Sequence, residues 1–244
     1  MVGRAIDEST EIAAAAARIS ELIRTHDLST QVPWLGRWKV RDVVAHLGGV
    51  HRWAARIVRT KSMDGPGFRK SKLDGSELCN WFDEGADELV EVLASNPLDD
   101  ACPNFNPGSD ATVHFWARRQ LHETTVHRWD VEAAVDDVTP ISPHVAADGV
   151  DEYLDVFVRT RGKQTLVAPL TLTSKRPARS WALTPSTRPG RVDVAAGKLT
   201  DTPDEIVGPP QDLLLLLWGR RALSTTDLTV HGSPEVAASL KDPG

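Results

Sequence analysis

The sequence predicts an α+β protein: an all-helical domain followed by a small mixed α/β domain. Three observations carry that prediction. Up to about residue 158 the apolar residues recur at helical spacing, in five segments separated by breaks rich in Pro, Gly or Asn. After Gly162 the pattern changes to short runs with some period-two alternation at 170–173, 180–183, 191–194 and 228–230. A strongly apolar helix around 211–221 interrupts those runs, and a last short helix is expected at 234–240. The junction is expected at 162–165, which gives domains 1–163 and 164–244. At 244 residues the chain is long enough to give each domain its own core.

The first helix, 7–26, carries Ile12, Ala15, Ala16, Ile19, Leu22 and Ile23 on one face, with Asp7 or Ser9 to cap its start. Pro33 and Gly36 make 31–38 a connector. The second helix, 40–60, aligns Val40, Val43, Leu47, Val50, Ala54, Ile57 and Val58, but Lys39 stands where a Ser or Thr cap is expected. Gly65-Pro66-Gly67 breaks the chain, and Ser76 is expected to open a third helix to 94 with Leu78, Phe82, Ala86, Leu89, Val90 and Leu93 inward. A loop at 96–109 leads into a long helix at 111–135, and a shorter one follows at 142–158. In the second domain Leu213, Leu214, Leu216 and Leu217 should pack on the small sheet, with Arg220 and Arg221 at the end of their helix, where a cation suits the dipole.

Composition excludes several classes of function. With 34 acidic and 28 basic residues the net charge is −6, and no run of Lys and Arg offers a stripe for phosphates. No stretch approaches the roughly 20 apolar residues that span a bilayer, and the N-terminus lacks a basic segment followed by an apolar one. Cys79 and Cys102 form neither a CxxC motif nor a disulfide framework. A soluble cytoplasmic protein is the expectation.

The chemistry concentrates in Arg119-Gln-Leu-His-Glu-Thr-Thr-Val-His-Arg-Trp-Asp130. At about 100° per residue, Trp116, Arg119, Gln120, Glu123, His127, Asp130 and Ala134 share one helix face. Glu123 and His127, at i and i+4, can converge on one ion, and a carboxylate with an imidazole suits Zn²⁺ among other divalent metals. The alternative is an exposed surface pair. The protease motif HExxH is absent, because Val126 stands where its second histidine belongs, and His122 points about 100° away from Glu123. A third ligand must come from elsewhere, and the second helix offers His46 and His51. Periodicity cannot choose between them. His46 has Asp42 one turn before it, Gly49 and Trp53 on its face, and a carboxylate able to orient its second nitrogen.

Trp38-Lys-Val-Arg-Asp-Val-Val-Ala-His46-Leu, followed by Glu123-x-x-x-His127-x-x-Asp130, resembles the mycothiol-dependent maleylpyruvate isomerase family of DinB-like, metal-dependent four-helix bundles. Gln211 to Arg220 and Leu228 to Ser233 are similar to that family's sterol-carrier-like C-terminal domain. The resemblance implies a four-helix bundle, one metal (zinc first) held by His46, Glu123 and His127, and mycothiol as thiol cosubstrate. It implies isomerisation of, or S-transfer to, a small electrophile, and residues alone do not choose between the two. Arg119 and Trp53 are then expected to border the bound thiol, although an ion pair with Glu123 or Asp130 accounts for Arg119 equally well. Arg220 matches an arginine that contacts cofactor or substrate carboxylate, from a cleft between the domains; helix capping is its other reading. Asp42 and Asp130 are expected either to orient ligands or to serve only as helix-terminus charges on the surface. A competing class is a non-catalytic, metal-containing ligand-binding protein, whose site a fourth protein ligand would close; His51 is the candidate.

Overall fold

The computed structural model describes residues 6–158 and 165–240. It contains two compact units, divided between Thr139 and Pro140. The junction expected at 162–165 falls largely in 159–164, outside the described residues. The helix that follows residue 140 packs with the second unit.

The first unit is a bundle of α1 (Glu8–Thr25), α2 (Val40–Thr60), α3 (Gly75–Ala94) and α4 (Val113–Ala134). Each helix has two neighbours: α1 and α2 both lie between α3 and α4. The apolar stripes meet in a core that includes Ile19, Leu22, Val43, Leu47, Leu78, Phe82 and Val131. Local signals set the helix starts. The Asp7 carboxylate accepts the Thr10 N–H at 3.2 Å, an ordinary cap. At α2 the missing cap is replaced from inside the helix, where Asp42 turns back to accept the Lys39 N–H at 2.9 Å. Asp74 accepts the Gly75 N–H at 2.9 Å and is the cap of α3, in place of Ser76.

α4 differs from the others in burying polar side chains on several sides. Arg119, Gln120, His122, Thr124, Thr125, His127, Asp130 and Glu132 are all buried. Such groups need partners, so α4 is where the bundle carries its polar network. Glu132 shows the structural part of it: it accepts the Thr139 N–H at 3.1 Å, the Thr139 hydroxyl at 2.6 Å and Arg18 Nε at 3.3 Å.

The second unit begins with α5 (Pro143–Tyr153), continued by a π-helical turn, Leu154–Val158. Strands β1 (Leu170–Lys175), β2 (Ala178–Pro185), β3 (Val192–Ala196), β4 (Glu205–Gly208) and β5 (Thr229–His231) form one sheet in the order β3-β2-β1-β4-β5. β1 and β4 are parallel; the other pairs are antiparallel. α6 (Pro210–Leu217) packs on α5 and β1, and α7 (Pro234–Ser239) closes the described chain. On α6 the buried leucines are 213, 214, 215 and 217, whereas Leu216, expected inside, is half-buried. Among the described residues no helix is long and apolar enough to cross a membrane.

Candidate metal centre

Side chains of α2 and α4 meet at mid-bundle. Glu123 Oε1 lies 3.0 Å from His46 Nε2 and 3.4 Å from His127 Nε2. One donor atom from each residue lies within 4.8 Å of the other two. Adjacent donors around a tetrahedral zinc with bonds of about 2.0–2.1 Å stand about 3.4 Å apart, so the donor set fits a divalent ion. The donors are also aimed. The Nδ1 of His127 pairs with Asp130 Oδ2 at 2.8 Å, which fixes the ring and turns Nε2 to the cluster. Arg119 Nη2 holds Glu123 Oε2 at 2.6 Å and leaves Oε1 facing the imidazoles.

Electrostatics follow from these contacts. Burial opposes the charged form of Glu123, but the Arg119 charge and hydrogen bonds to His127 and His46 hold its carboxyl well below the usual range. Burial would likewise lower His127, yet Asp130 and Glu123 override it and raise the imidazole to about 9. Cys79 and Cys102 are buried, their thiols pushed up by burial.

The two α2 histidines part company. His51 is fully buried and pairs through Nε2 with the Thr124 hydroxyl at 2.9 Å, so it is not a member of the cluster. Among the described residues the cluster has three protein donors and no fourth. Asp42 does not orient His46: its carboxylate caps α2, and His46 Nδ1 is buried without a hydrogen-bond partner. Instead Trp38 and Phe68 pack edge-on against the His46 ring, with centroids 5.3 and 5.1 Å away.

His51 sets an expected pH dependence. Burial, against an opposing pull from Glu123 and with help from His127, Arg52 and His46, lowers it to about 3. Its unfolded value is near 6.5, so between these limits the unfolded chain binds the extra proton. Stability present above pH 6.5 is therefore lost as pH falls toward 3, at up to about 1.4 kcal/mol per pH unit. Urea denaturation at pH 7, 6 and 5 should show a flatter loss for His51→Gln than for the parent; parallel curves would remove His51 from this role.

Trp53 lies half-buried about two turns beyond His46, stacked with Phe105 at 6.1 Å and edge-on to Trp116 at 5.0 Å. Phe68 and Phe105 come from loops and carried no periodic signal; sequence reasoning missed both. Lys70 Nζ rests 3.3 Å from the centroid of Trp38, another contact across a loop. Arg220 belongs to the second unit. There its Nη1 donates to the Trp218 carbonyl at 2.7 Å, closing the end of α6, while Arg221 pairs with Asp212 at 2.7 Å.

Fold and site define a helical bundle with a partly buried His–Glu–His cluster, followed by a small α/β domain. The family model for the mycothiol maleylpyruvate isomerase N-terminal domain matches residues 9–132, and that for the family's C-terminal domain matches 144–239. The chain belongs to the mycothiol-dependent maleylpyruvate isomerase family, a family of enzymes. The crystal structure of the mycothiol-dependent maleylpyruvate isomerase superposes with a TM-score of 0.63 at 12% identity, over 94% of this chain and 94% of that one. A mutant of that enzyme, with a histidine changed to alanine, gives a TM-score of 0.60 at 11% identity, covering 88% and 89%. These likenesses support the α+β fold. No curated protein sequence matches the chain.

Proposed function

We propose that the chain is a metal-dependent enzyme that uses the thiol of mycothiol to isomerise a small electrophilic substrate. The observation that carries this reading is the convergence of His46, Glu123 and His127 on one point with no fourth donor among the described residues. A structural site would be closed by a fourth protein ligand, and its candidate, His51, is tied to Thr124 instead. This argues against the non-catalytic binding protein. His46, Glu123 and His127 would hold the ion, zinc first. A bound divalent cation supplies the positive charge that brings a thiol pKa down from about 8.5.

The chain's own residues do the rest. Asp130 keeps the His127 ring in one orientation, and Arg119 holds Glu123, so Arg119 serves the thiol by positioning the carboxylate rather than by touching it. Trp53 forms a wall of the space in which thiol and substrate meet. For Arg220 the reading keeps the carboxylate-binding role that the resemblance carries. In isomerisation the sulfur adds to the substrate's conjugated double bond, the new single bond rotates, and expulsion of the thiol restores the double bond in the other geometry. S-transfer would begin with the same addition or displacement, and nothing in the cluster favours it.

The test is metal analysis of the full chain followed by thermal denaturation with mycothiol. The expected result is one zinc per chain and, at a hundredfold excess over Kd, about 2.7 kcal/mol of added stability. An equal shift with S-methylated mycothiol, or no bound metal, overturns the proposal.

A further inference from the structure

A strip of aromatic rings leads away from the cluster. Phe68 lies 5.1 Å from the His46 ring and 6.4 Å from Trp53, and Trp53 in turn stacks with Phe105. Phe68 and Phe105 are 44% and 42% exposed, so the strip is open to solvent at both ends and meets His46 at its Phe68 end. Partly exposed aromatic rings beside convergent polar groups are the usual lining of a small-molecule site.

Gln120 supplies the second, independent observation. It is 1% exposed, and its Oε1 has no hydrogen-bond partner. A buried amide oxygen without a partner costs free energy that folding alone does not recover. The helix register places it. Across the α2–α4 pair His46 faces Glu123, and Trp53 faces Trp116. Gln120 stands between Trp116 and Glu123 on α4, level with Gly49 of α2, whose bare side is covered by the Arg69 backbone. Its place along α4 is therefore between the residue that meets His46 and the one that meets Trp53.

We infer that Trp53, Phe68, Phe105 and Gln120 form the subsite for the electrophile, and that it takes a flat, conjugated body carrying an N–H or O–H donor. The inference rests on the proposed thiol chemistry for the word electrophile. Flat π-systems suit this strip because rings pack by offset stacking and edge-to-face contact, which a saturated chain cannot reproduce. The donor of the ligand satisfies Gln120 Oε1, and the conjugated carbon then points toward the His46 and Glu123 end. Trp53 contacts the substrate rather than the thiol.

Cinnamamide, flat, conjugated and carrying an amide N–H, serves as the probe, with 3-cyclohexylpropanamide as its saturated counterpart. Both are titrated calorimetrically into the full chain stripped of metal by chelator and into the chain loaded with zinc. Cinnamamide is expected to bind about tenfold more tightly than the saturated amide in both forms, and Trp53→Leu, Phe68→Ala and Gln120→Leu are each expected to weaken it about fivefold or more. Phe68 lies on a loop, so its replacement leaves the bundle core intact should the Trp53 variant fail to fold. Equal affinity for the two amides, or unchanged binding in both Phe68→Ala and Gln120→Leu, overturns the subsite. Binding as expected in a chain that takes up no zinc would remove the thiol chemistry and leave the subsite standing.

Discussion

Zinc content should fall from one per chain to none in His127→Ala and in His46→Ala, while His122→Gln keeps it. The two ligand variants lose one of three donors, and the pair that remains cannot hold a divalent ion against dialysis. His122 is buried on the same helix as His127, but it is no part of the converging group. Asp130→Asn is graded rather than absolute. It keeps the shape of the side chain beside His127 Nδ1 but removes the charge that favours the bound tautomer. A loss of about 10–100-fold in metal affinity is expected. Competition with a chromophoric chelator measures all four. A His127→Ala chain that still binds zinc stoichiometrically would mean that the ligands are different residues.

The second large effect is on stability. Trp116 is fully buried, its indole N–H donates to the Pro103 carbonyl at 2.9 Å, and its ring backs Trp53. Trp116→Ala removes that volume, leaves the carbonyl without its donor, and is expected to cost about 3–5 kcal/mol. In a domain of this size the melting temperature should drop by about 10 °C or more. Leu98→Ala, at an exposed position, is the control and should stay within about 0.5 kcal/mol of the parent. A Trp116→Ala change below about 1 kcal/mol would show that the aromatic cluster is not part of the packed core.

The first three bundle helices were legible because each carries an apolar stripe of helical period, and Glu123 with His127 on α4 because i,i+4 spacing places them together. His46, the third member of the cluster, was singled out only by its neighbours. Nothing in the sequence says that His51 meets Thr124, a contact made between two helices. Of the two readings open for Asp42 the helix-terminus one holds: an N–H at the helix start competes for the same carboxylate as an imidazole one turn on, and the N–H won. β4 escaped because Glu205–Gly208 is four residues between prolines, and its partner β1 runs parallel to it from far back in the chain. The aromatic strip was out of reach, since Phe68 and Phe105 arrive on loops with no period.

Gly49 shapes what this scaffold can become. A methyl group built there would stand 2.3 Å from the Arg69 carbonyl oxygen and 3.0 Å from its carbon, and backbone atoms cannot step aside as a side chain can. The segment that carries Phe68 and Lys70 thus rests directly on bare helix. Exchanging this one hydrogen for any larger group would lift the segment and reshape the surroundings of His46 without touching His46, Glu123 or His127 themselves. Divergent descendants of the same bundle could change diet at this position alone, keeping their reactive centre while trading one clientele of molecules for another.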